Sequence, residues 1–399
     1  MTAPKTQSAS THPPAPVPIR EILRPITALR LAAAWVVVFA FQFGGAAWLA
    51  QPISPLVGVV CFAVLFTTIT TAAFGVVREA DHLAHQLGEP YGTLILTLSV
   101  VLIEVILIAA IMLGPGDHPT IGRDAIFSVM MIILNLVTGL CLLLGGKRYG
   151  EQEYNAQGAA TYLSMIALLT GIALVLSNFT ATGGGTFSAT QAIAVTAVTA
   201  LLYGAFLMMQ MRTYRRLFVQ PPAGALSIPV QAVGTETPSE GKLNHPLDVR
   251  EIVVRTVVLV AAMVAIVLLA HDLAILIDYG IEITHAPAAL GGVLIAIVVF
   301  TPESLTAVRA ALADETQRVV NLCLGAFLST VGLTVPAILA VGVMTGKSVV
   351  LGLSAADTTL FVLTLAVSMM TFVGHRTTPI QGIMHLTLFA VYAIMLFSP

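Results

Sequence analysis

Hydrophobic runs of about twenty residues alternate with short polar stretches along nearly the whole chain. A run of this length crosses the ~30 Å hydrocarbon core of a bilayer as an α-helix. The pattern therefore predicts eleven membrane helices. We place them at about residues 29–49, 54–77, 91–113, 122–146, 158–177, 188–211, 252–277, 287–312, 319–344, 356–373 and 380–397.

Two polar, proline-rich segments divide this series of helices. Residues 1–27 are rich in Pro, Ser and Thr, which is typical of a disordered tail, and residues 212–249 have the composition of a linker. The chain is therefore predicted to be an all-α polytopic membrane protein. One extra N-terminal helix within residues 28–50 precedes two five-helix units, at residues 51–211 and 250–399.

Composition supports this fold class and excludes several functions. Of the 399 residues 57% are hydrophobic and only 10% are charged, with a mean hydropathy of +0.94, whereas soluble domains average about a quarter charged residues. The net charge of −2 provides no basic surface for nucleic acid. Cys61, Cys141 and Cys323 are too widely spaced for a metal site or a disulfide framework, so we expect them to pack in the core.

Lysine and arginine predict the orientation, because cytoplasmic loops are enriched in them. With a cytoplasmic N-terminus, sixteen of the 18 lysines and arginines fall on the cytoplasmic side, and only Arg123 and Lys347 fall outside. The tail and the linker are then cytoplasmic and Pro399 is external. Because each unit has five helices, the two units insert in opposite orientations, as in secondary transporters built from inverted repeats.

Two glutamates interrupt the apolar runs at matching positions. Glu104 follows Gly92 by twelve residues, and Glu303 follows Gly291 by the same distance. An ionisable group inside a membrane helix costs at least ~2.5 kcal/mol and usually marks an ion or proton pathway. The pair predicts one shared cation and proton site. The alternative is two protonated carboxyl groups that neighbouring helices satisfy.

The residues before Glu303 suggest further oxygen ligands. Pro302 cannot bond to the carbonyl of Val298, so the sequence predicts a kink beside the acid. That carbonyl and the Thr301 hydroxyl would add oxygens for a hard cation such as Ca²⁺, which takes six to eight of them. A kink that serves only packing is the alternative.

Small polar side chains in the same or the following helices are additional candidates for ligands. They are Thr97, Ser99, Ser128, Asn135, Ser329 and Thr330. Each either binds the cation or hydrogen-bonds to its own backbone or to a neighbouring helix. His82 and His85, and the acidic and histidine residues between 271 and 285, are open to pH sensing, ion steering or simple solvation. Asp357 and His385 stay undecided between packing and function.

Several motifs together resemble the calcium/cation antiporter superfamily, and within it the bacterial ChaA-type cation/proton exchangers. The resemblance covers about residues 55–399. It is carried by Gly88-Glu-Pro-Tyr-Gly-Thr-Leu-Ile-Leu-Thr-Leu-Ser-Val100 before Glu104, by Gly145-Gly-Lys-Arg-Tyr-Gly-Glu-Gln-Glu-Tyr-Asn155, by Thr301-Pro-Glu-Ser-Leu-Thr-Ala-Val-Arg-Ala310, by Asn321 to Pro336, and by Gln381-Gly-Ile-Met-His385.

The resemblance implies an extra N-terminal helix and two inverted repeats in a bacterial inner membrane, with one essential acid per repeat at Glu104 and Glu303. It also implies exchange of Ca²⁺, and of Na⁺ or K⁺, for protons. Two features depart from the vacuolar members of the superfamily. Their Gly-Asn-Ala-x-Glu motif is Val100-Val-Leu-Ile-Glu104 here, and their acidic helix between the halves is absent from the linker.

The leading hypothesis is therefore an antiporter that exchanges cytoplasmic cations for external protons and needs no cofactor beyond the transported ions. A sodium-coupled exchanger or a cation channel on the same scaffold is the first alternative. An intramembrane enzyme is the second, but it requires a nucleophile with a base, a carboxylate pair or a metal site, and the sequence offers only the glutamate pair.

Overall fold

The computed structural model describes residues 25–87, 91–114, 118–219 and 249–397. The parts of the predicted tail, linker and C-terminus at residues 1–24, 220–248 and 398–399 lie outside these ranges, as does the 88–90 segment of the first family motif.

Eleven helices in the described ranges are long and apolar enough to cross a membrane, which confirms the predicted class of polytopic helical membrane protein. They are α1 Pro25–Trp48, α2 Pro55–Leu87, α3 Tyr91–Met112, α4 Ile121–Tyr149, α5 Ala156–Phe179, α6 Ala189–Met211, α7 Val249–Thr284, α8 Ala289–Ala311, α9 Thr316–Thr345, α10 Ala355–Phe372 and α11 Pro379–Phe397.

Two helices continue beyond their predicted ends. The sequence predicts ends at residues 77 and 277, whereas α2 reaches Leu87 and α7 reaches Thr284. In α2 the reason is an ion pair: Arg255 of α7 donates a 2.8 Å hydrogen bond to Glu79, which is 3% exposed. Glu79 is therefore buried, although its charge alone would favour an exposed position. A hydropathy pattern shows the charged residues Glu79 and Arg255, but it does not show that they pair with each other in the folded protein.

The second and third helices of each repeat, α3, α4, α8 and α9, are the most deeply buried membrane helices of the described ranges. The long helices α2 and α7 pack against each other, α3 packs on both of them, and α8 packs against α4. The α8–α4 contact is close, since a Cβ atom on Gly292 would lie 2.5 Å from the main chain of Asp124. The three cysteines are free and buried, as their positions in apolar runs predict.

The two repeats are tied together at both membrane faces. On one face, β1 (Gln152–Glu153) pairs antiparallel with β2 (Arg376–Thr377), which joins the α4–α5 connection to the α10–α11 connection. On the other face, the main chain of Leu351 and Gly352 donates hydrogen bonds to the carbonyl of Gly185. These contacts link connections that are far apart in the sequence.

A constant offset of 199 residues relates equivalent positions in the two repeats. It relates Glu104 of α3 to Glu303 of α8, and it relates the start of a π-helical segment in α4 (Met131–Val137) to the start of another in α9 (Thr330–Thr334). π-helical turns are rare and frequently lie at functional sites. The glutamates and the π-helical segments are therefore equivalent elements of the two repeats.

Candidate functional site

Glu104 lies on α3 and is completely buried. The Thr330 hydroxyl of α9 donates a hydrogen bond of 3.0 Å to Glu104 Oε2. The Thr334 hydroxyl lies close to the same carboxyl group but outside hydrogen-bond geometry. Among the residues that the structure describes, Glu104 Oε1 has no hydrogen-bond partner. The acid of the first repeat is thus held by the π-helical segment of the second.

Glu303 occupies the equivalent position on α8, which packs against α3. Glu104 and Glu303 thus lie on two helices that are in contact with each other. Glu303 Oε2 is buried and has no hydrogen-bond partner within the described ranges. Two neighbouring carboxyl groups therefore each retain an oxygen that can take a proton or bind a cation.

A cavity of about 490 Å³ extends to Glu303 from the membrane face that carries the β1–β2 pair. Arg215, which follows α6, and Arg318, at the start of α9, line its outer part. This volume accommodates several water molecules, at about 30 Å³ each. Glu303 is thus accessible to hydrated ions from this face, whereas Glu104 does not line the cavity.

Aromatic side chains form much of the cavity wall. The rings of Tyr162 and Phe218 pack edge to face with centroids 5.0 Å apart, and Phe206 lies against both. Gln210 donates a 2.6 Å hydrogen bond to the Tyr162 hydroxyl. The wall belongs to α5, α6 and the short 3₁₀ turn Arg215–Phe218.

The predicted ligands do not all lie at this cavity. Thr97 and Ser329 line it, although the Ser329 hydroxyl donates to the carbonyl of Ala326 at 2.7 Å. Ser99 is buried on α3. Ser128 donates to its own helix at the Asp124 carbonyl, and its oxygen lies 2.9 Å from the Tyr392 hydroxyl of α11.

The residues beside Glu303 stay within a helix. Pro302 and Val298 are buried in α8, which runs without interruption from Ala289 to Ala311, so the proline does not end the helix. Thr301 Oγ1 donates a hydrogen bond to the carbonyl of Ile297 in the same helix.

Asn135, a predicted ligand in the α4 π-helical segment, contacts α10 and α11. Its Nδ2 donates to Thr364 Oγ1 at 2.9 Å, and its Oδ1 lies 3.2 Å from His385 Nδ1. All three side chains are completely buried. The sequence leaves His385 unassigned, and the structure places it next to a candidate ligand.

Thr334 and the aromatic wall are absent from the sequence-based site. Thr334 lies 199 residues after Asn135, so alignment of the two halves on their glutamates would identify it. Tyr162 and Phe218 have no such signal, because aromatic residues are common in membrane helices. Among the polar residues of the other face, His118 Nε2 lies 3.0 Å from Asp278 Oδ2, so one member of the 271–285 group contacts a histidine of the α3–α4 connection.

Eleven helices with paired intramembrane carboxyl groups at equivalent positions of two repeats define the class of secondary transporters. Residues 57–212 and 254–398 match the sodium/calcium exchanger protein family, and the chain belongs to this family. The sodium-potassium/proton antiporter ChaA of Escherichia coli is 36% identical over 330 residues, which are 83% of this chain and 87% of that relative.

Two solved structures share the architecture. The structure of native YfkE superposes with a TM-score of 0.69 at 20% sequence identity, covering 94% of this chain and 100% of that one. The H⁺/Ca²⁺ exchanger CAX superposes with a TM-score of 0.63 at 13% identity, covering 93% and 89% of the two chains. At these identities the likeness concerns the fold alone.

Proposed function

We propose that the chain is a proton-coupled cation antiporter in which Glu104 and Glu303 bind either a cation or protons. The observation that carries this proposal is that equivalent helices of the two repeats each carry a carboxyl group with an oxygen outside any hydrogen bond in the described part of the chain, and that one of these groups, Glu303, lines a cavity. The sodium-potassium/proton antiporter of Escherichia coli, a relative over most of both chains, supports the coupling to protons.

Competition for the same oxygens is the basis of the exchange. A carboxyl group held away from water favours its neutral, protonated form, and two neighbouring carboxyl groups resist simultaneous ionisation. A bound cation reverses this preference, because it favours the ionised pair. The site therefore holds protons or a cation, and the transported ions are Ca²⁺ and Na⁺ or K⁺. No resident cofactor takes part.

The orientation follows from the positive charges. The cavity is lined at its outer part by Arg215 and Arg318, on the face that the lysine and arginine distribution assigns to the cytoplasm. The arrangement then corresponds to a state open to the cytoplasm of a bacterial inner membrane. Rocking of one repeat against the other exposes the same site to the outside, and entering protons drive the cation out.

The test is an exchange assay in inverted membrane vesicles with an imposed pH gradient. Addition of Na⁺, K⁺ or Ca²⁺ to wild-type vesicles releases stored protons, whereas Glu104→Gln and Glu303→Gln abolish this release. The amide keeps the shape of the side chain but cannot carry the proton. Glu151→Gln is the matched control, since Glu151 is an exposed residue paired with Arg376 at 3.2 Å, and it retains exchange.

The same assay separates the alternatives. Cation flux without proton movement would identify a channel or a sodium-coupled exchanger. Substantial cation-dependent proton release by Glu104→Gln or Glu303→Gln would remove that residue from the mechanism.

A further inference from the structure

A group of buried polar side chains joins α4, α10 and α11. Its centre is the amide of Asn135, which lies between Thr364 of α10 and His385 of α11. His385 Nε2 in turn lies 3.1 Å from the Thr371 hydroxyl near the end of α10. Each of these side chains is at most 2% exposed. Polar groups this deeply buried are held by specific partners.

The chemistry of the partners determines the direction of these hydrogen bonds. His385 Nδ1 lies 3.2 Å from Asn135 Oδ1. Because an amide oxygen carries no hydrogen, Nδ1 is the donor, and Nε2 accepts from the Thr371 hydroxyl. At its other end the Asn135 amide donates from Nδ2 to Thr364 Oγ1.

One orientation of the Asn135 amide is therefore fixed. A rotation by half a turn would place its NH₂ group against the N–H of His385, so that two donors would face each other in a dry interior. An unsatisfied buried donor costs ~1–3 kcal/mol. Oδ1 has two acceptor positions, of which His385 uses one. The second remains for another partner.

Asn135 lies in a segment of the first repeat that packs against the second repeat. It corresponds to Thr334 by the 199-residue offset, and Thr334 lies close to the Glu104 carboxyl group. The π-helical segment of Asn135 packs against α8, which carries Glu303. In both halves a π-helical segment with a polar side chain therefore packs against the opposite half, next to Glu104 in one case and against the helix of Glu303 in the other.

We propose that His385 is a positioning residue for the cation site: it holds the Asn135 amide so that the oxygen, and not the NH₂ group, is presented to the transported cation. The inference rests on the proposed function and adds a residue that acts through Asn135. Loss of the His385 donor lets the amide rotate, and a donor group then faces the cation.

Two substitutions of His385 separate its two hydrogen bonds. His385→Gln reaches the Nε2 position and keeps a partner for Thr371, but it loses the donor to Asn135. His385→Asn places its amide near the Nδ1 position and keeps that donor. We expect His385→Gln to raise the cation KM about tenfold with a maximal exchange rate within about twofold of wild type, and His385→Asn to restore much of the affinity.

The control removes an equivalent contact between the same two helices. Tyr392→Phe deletes the buried hydroxyl of α11 that lies 2.9 Å from Ser128 of α4. It leaves Asn135 and its partners in place, so it does not reproduce the tenfold rise in KM. Should His385→Gln fail to fold, as judged by size-exclusion chromatography, Thr364→Val provides the same test. It removes the acceptor of the Asn135 NH₂ group and raises the KM in the same direction.

A double-substitution cycle tests whether His385 acts through Asn135. Asn135→Ala raises the cation KM by itself, and adding His385→Gln to it causes no further rise. The proposal would be overturned if His385→Gln raised the KM of the Asn135→Ala protein as much as it raises that of the wild type. A wild-type KM in His385→Gln alone or in Asn135→Ala alone would also overturn it. Both outcomes leave exchange by the wild type intact, whereas failure of the proposed function abolishes the exchange signal in the wild type itself.

Discussion

Arg255→Met tests the buried ion pair that joins the two longest helices. Arg255 of α7 lies 2.8 Å from Glu79 of α2 and 2.8 Å from Glu251 in its own helix. The Arg255 and Glu79 side chains are only 10% and 4% exposed. The pair therefore sets the register of α2 and α7 at the membrane face that carries the β1–β2 strands.

The expected loss follows from this burial. Removing one partner of a buried ion pair costs ~3–5 kcal/mol, because the remaining charge has lost its counter-ion in a poorly hydrated site. Methionine keeps the length and the apolar contacts of the arginine stem, so the loss reports the charge. At roughly 2 °C per kcal/mol for a large domain, Tm falls by about 6–10 °C.

The assay heats the detergent-purified protein to a series of temperatures and uses size-exclusion chromatography to measure the fraction that remains folded at each one. Arg318→Met is the control, since Arg318 pairs with Glu315 at 3.0 Å while the two side chains are 57% and 47% exposed. An exposed pair contributes at most ~1 kcal/mol. The double variant Glu79→Met, Arg255→Met recovers much of the lost stability. A Tm loss no larger than that of Arg318→Met, or a double variant no better than the single one, would refute this reasoning.

Three further outcomes are expected. A reporter enzyme fused after Pro399 is active only outside the cytoplasm, and one inserted within residues 220–248 only inside; the opposite pattern at either place contradicts the predicted orientation. Pro302→Ala lets the helix re-form the backbone hydrogen bond to the Val298 carbonyl, so that this oxygen is no longer available to the cation. Because a divalent ion needs more oxygens, the apparent affinity for Ca²⁺ in the vesicle assay falls more than that for Na⁺ or K⁺. An unchanged affinity for all three ions would mean that the proline is only structural. Gly292→Ala lowers Tm, because its Cβ would lie 2.5 Å from the α4 main chain. Gly204→Ala does not lower Tm, because its Cβ would have no atom within 4 Å. Equal Tm values for the two variants would show that α8 and α4 can move apart without a loss of stability.

The amino-acid sequence determines the membrane helices and the two acids of the site. Apolar runs long enough to cross a bilayer are recognisable without any knowledge of packing, because each helix satisfies its own backbone hydrogen bonds. Glu104 and Glu303 are conspicuous because a carboxyl group inside such a run is costly. The equal spacing from Gly92 and Gly291 indicates that the chain contains one helix twice.

The tertiary structure decides which side chains meet, because helices far apart in the sequence supply them. Thr330 binds Glu104 across 226 residues of chain, and Asn135 meets His385 across 250. No local periodicity encodes such pairs. The same reason explains Glu79: its charge predicts exposure, and only the approach of Arg255 from another helix makes its burial possible.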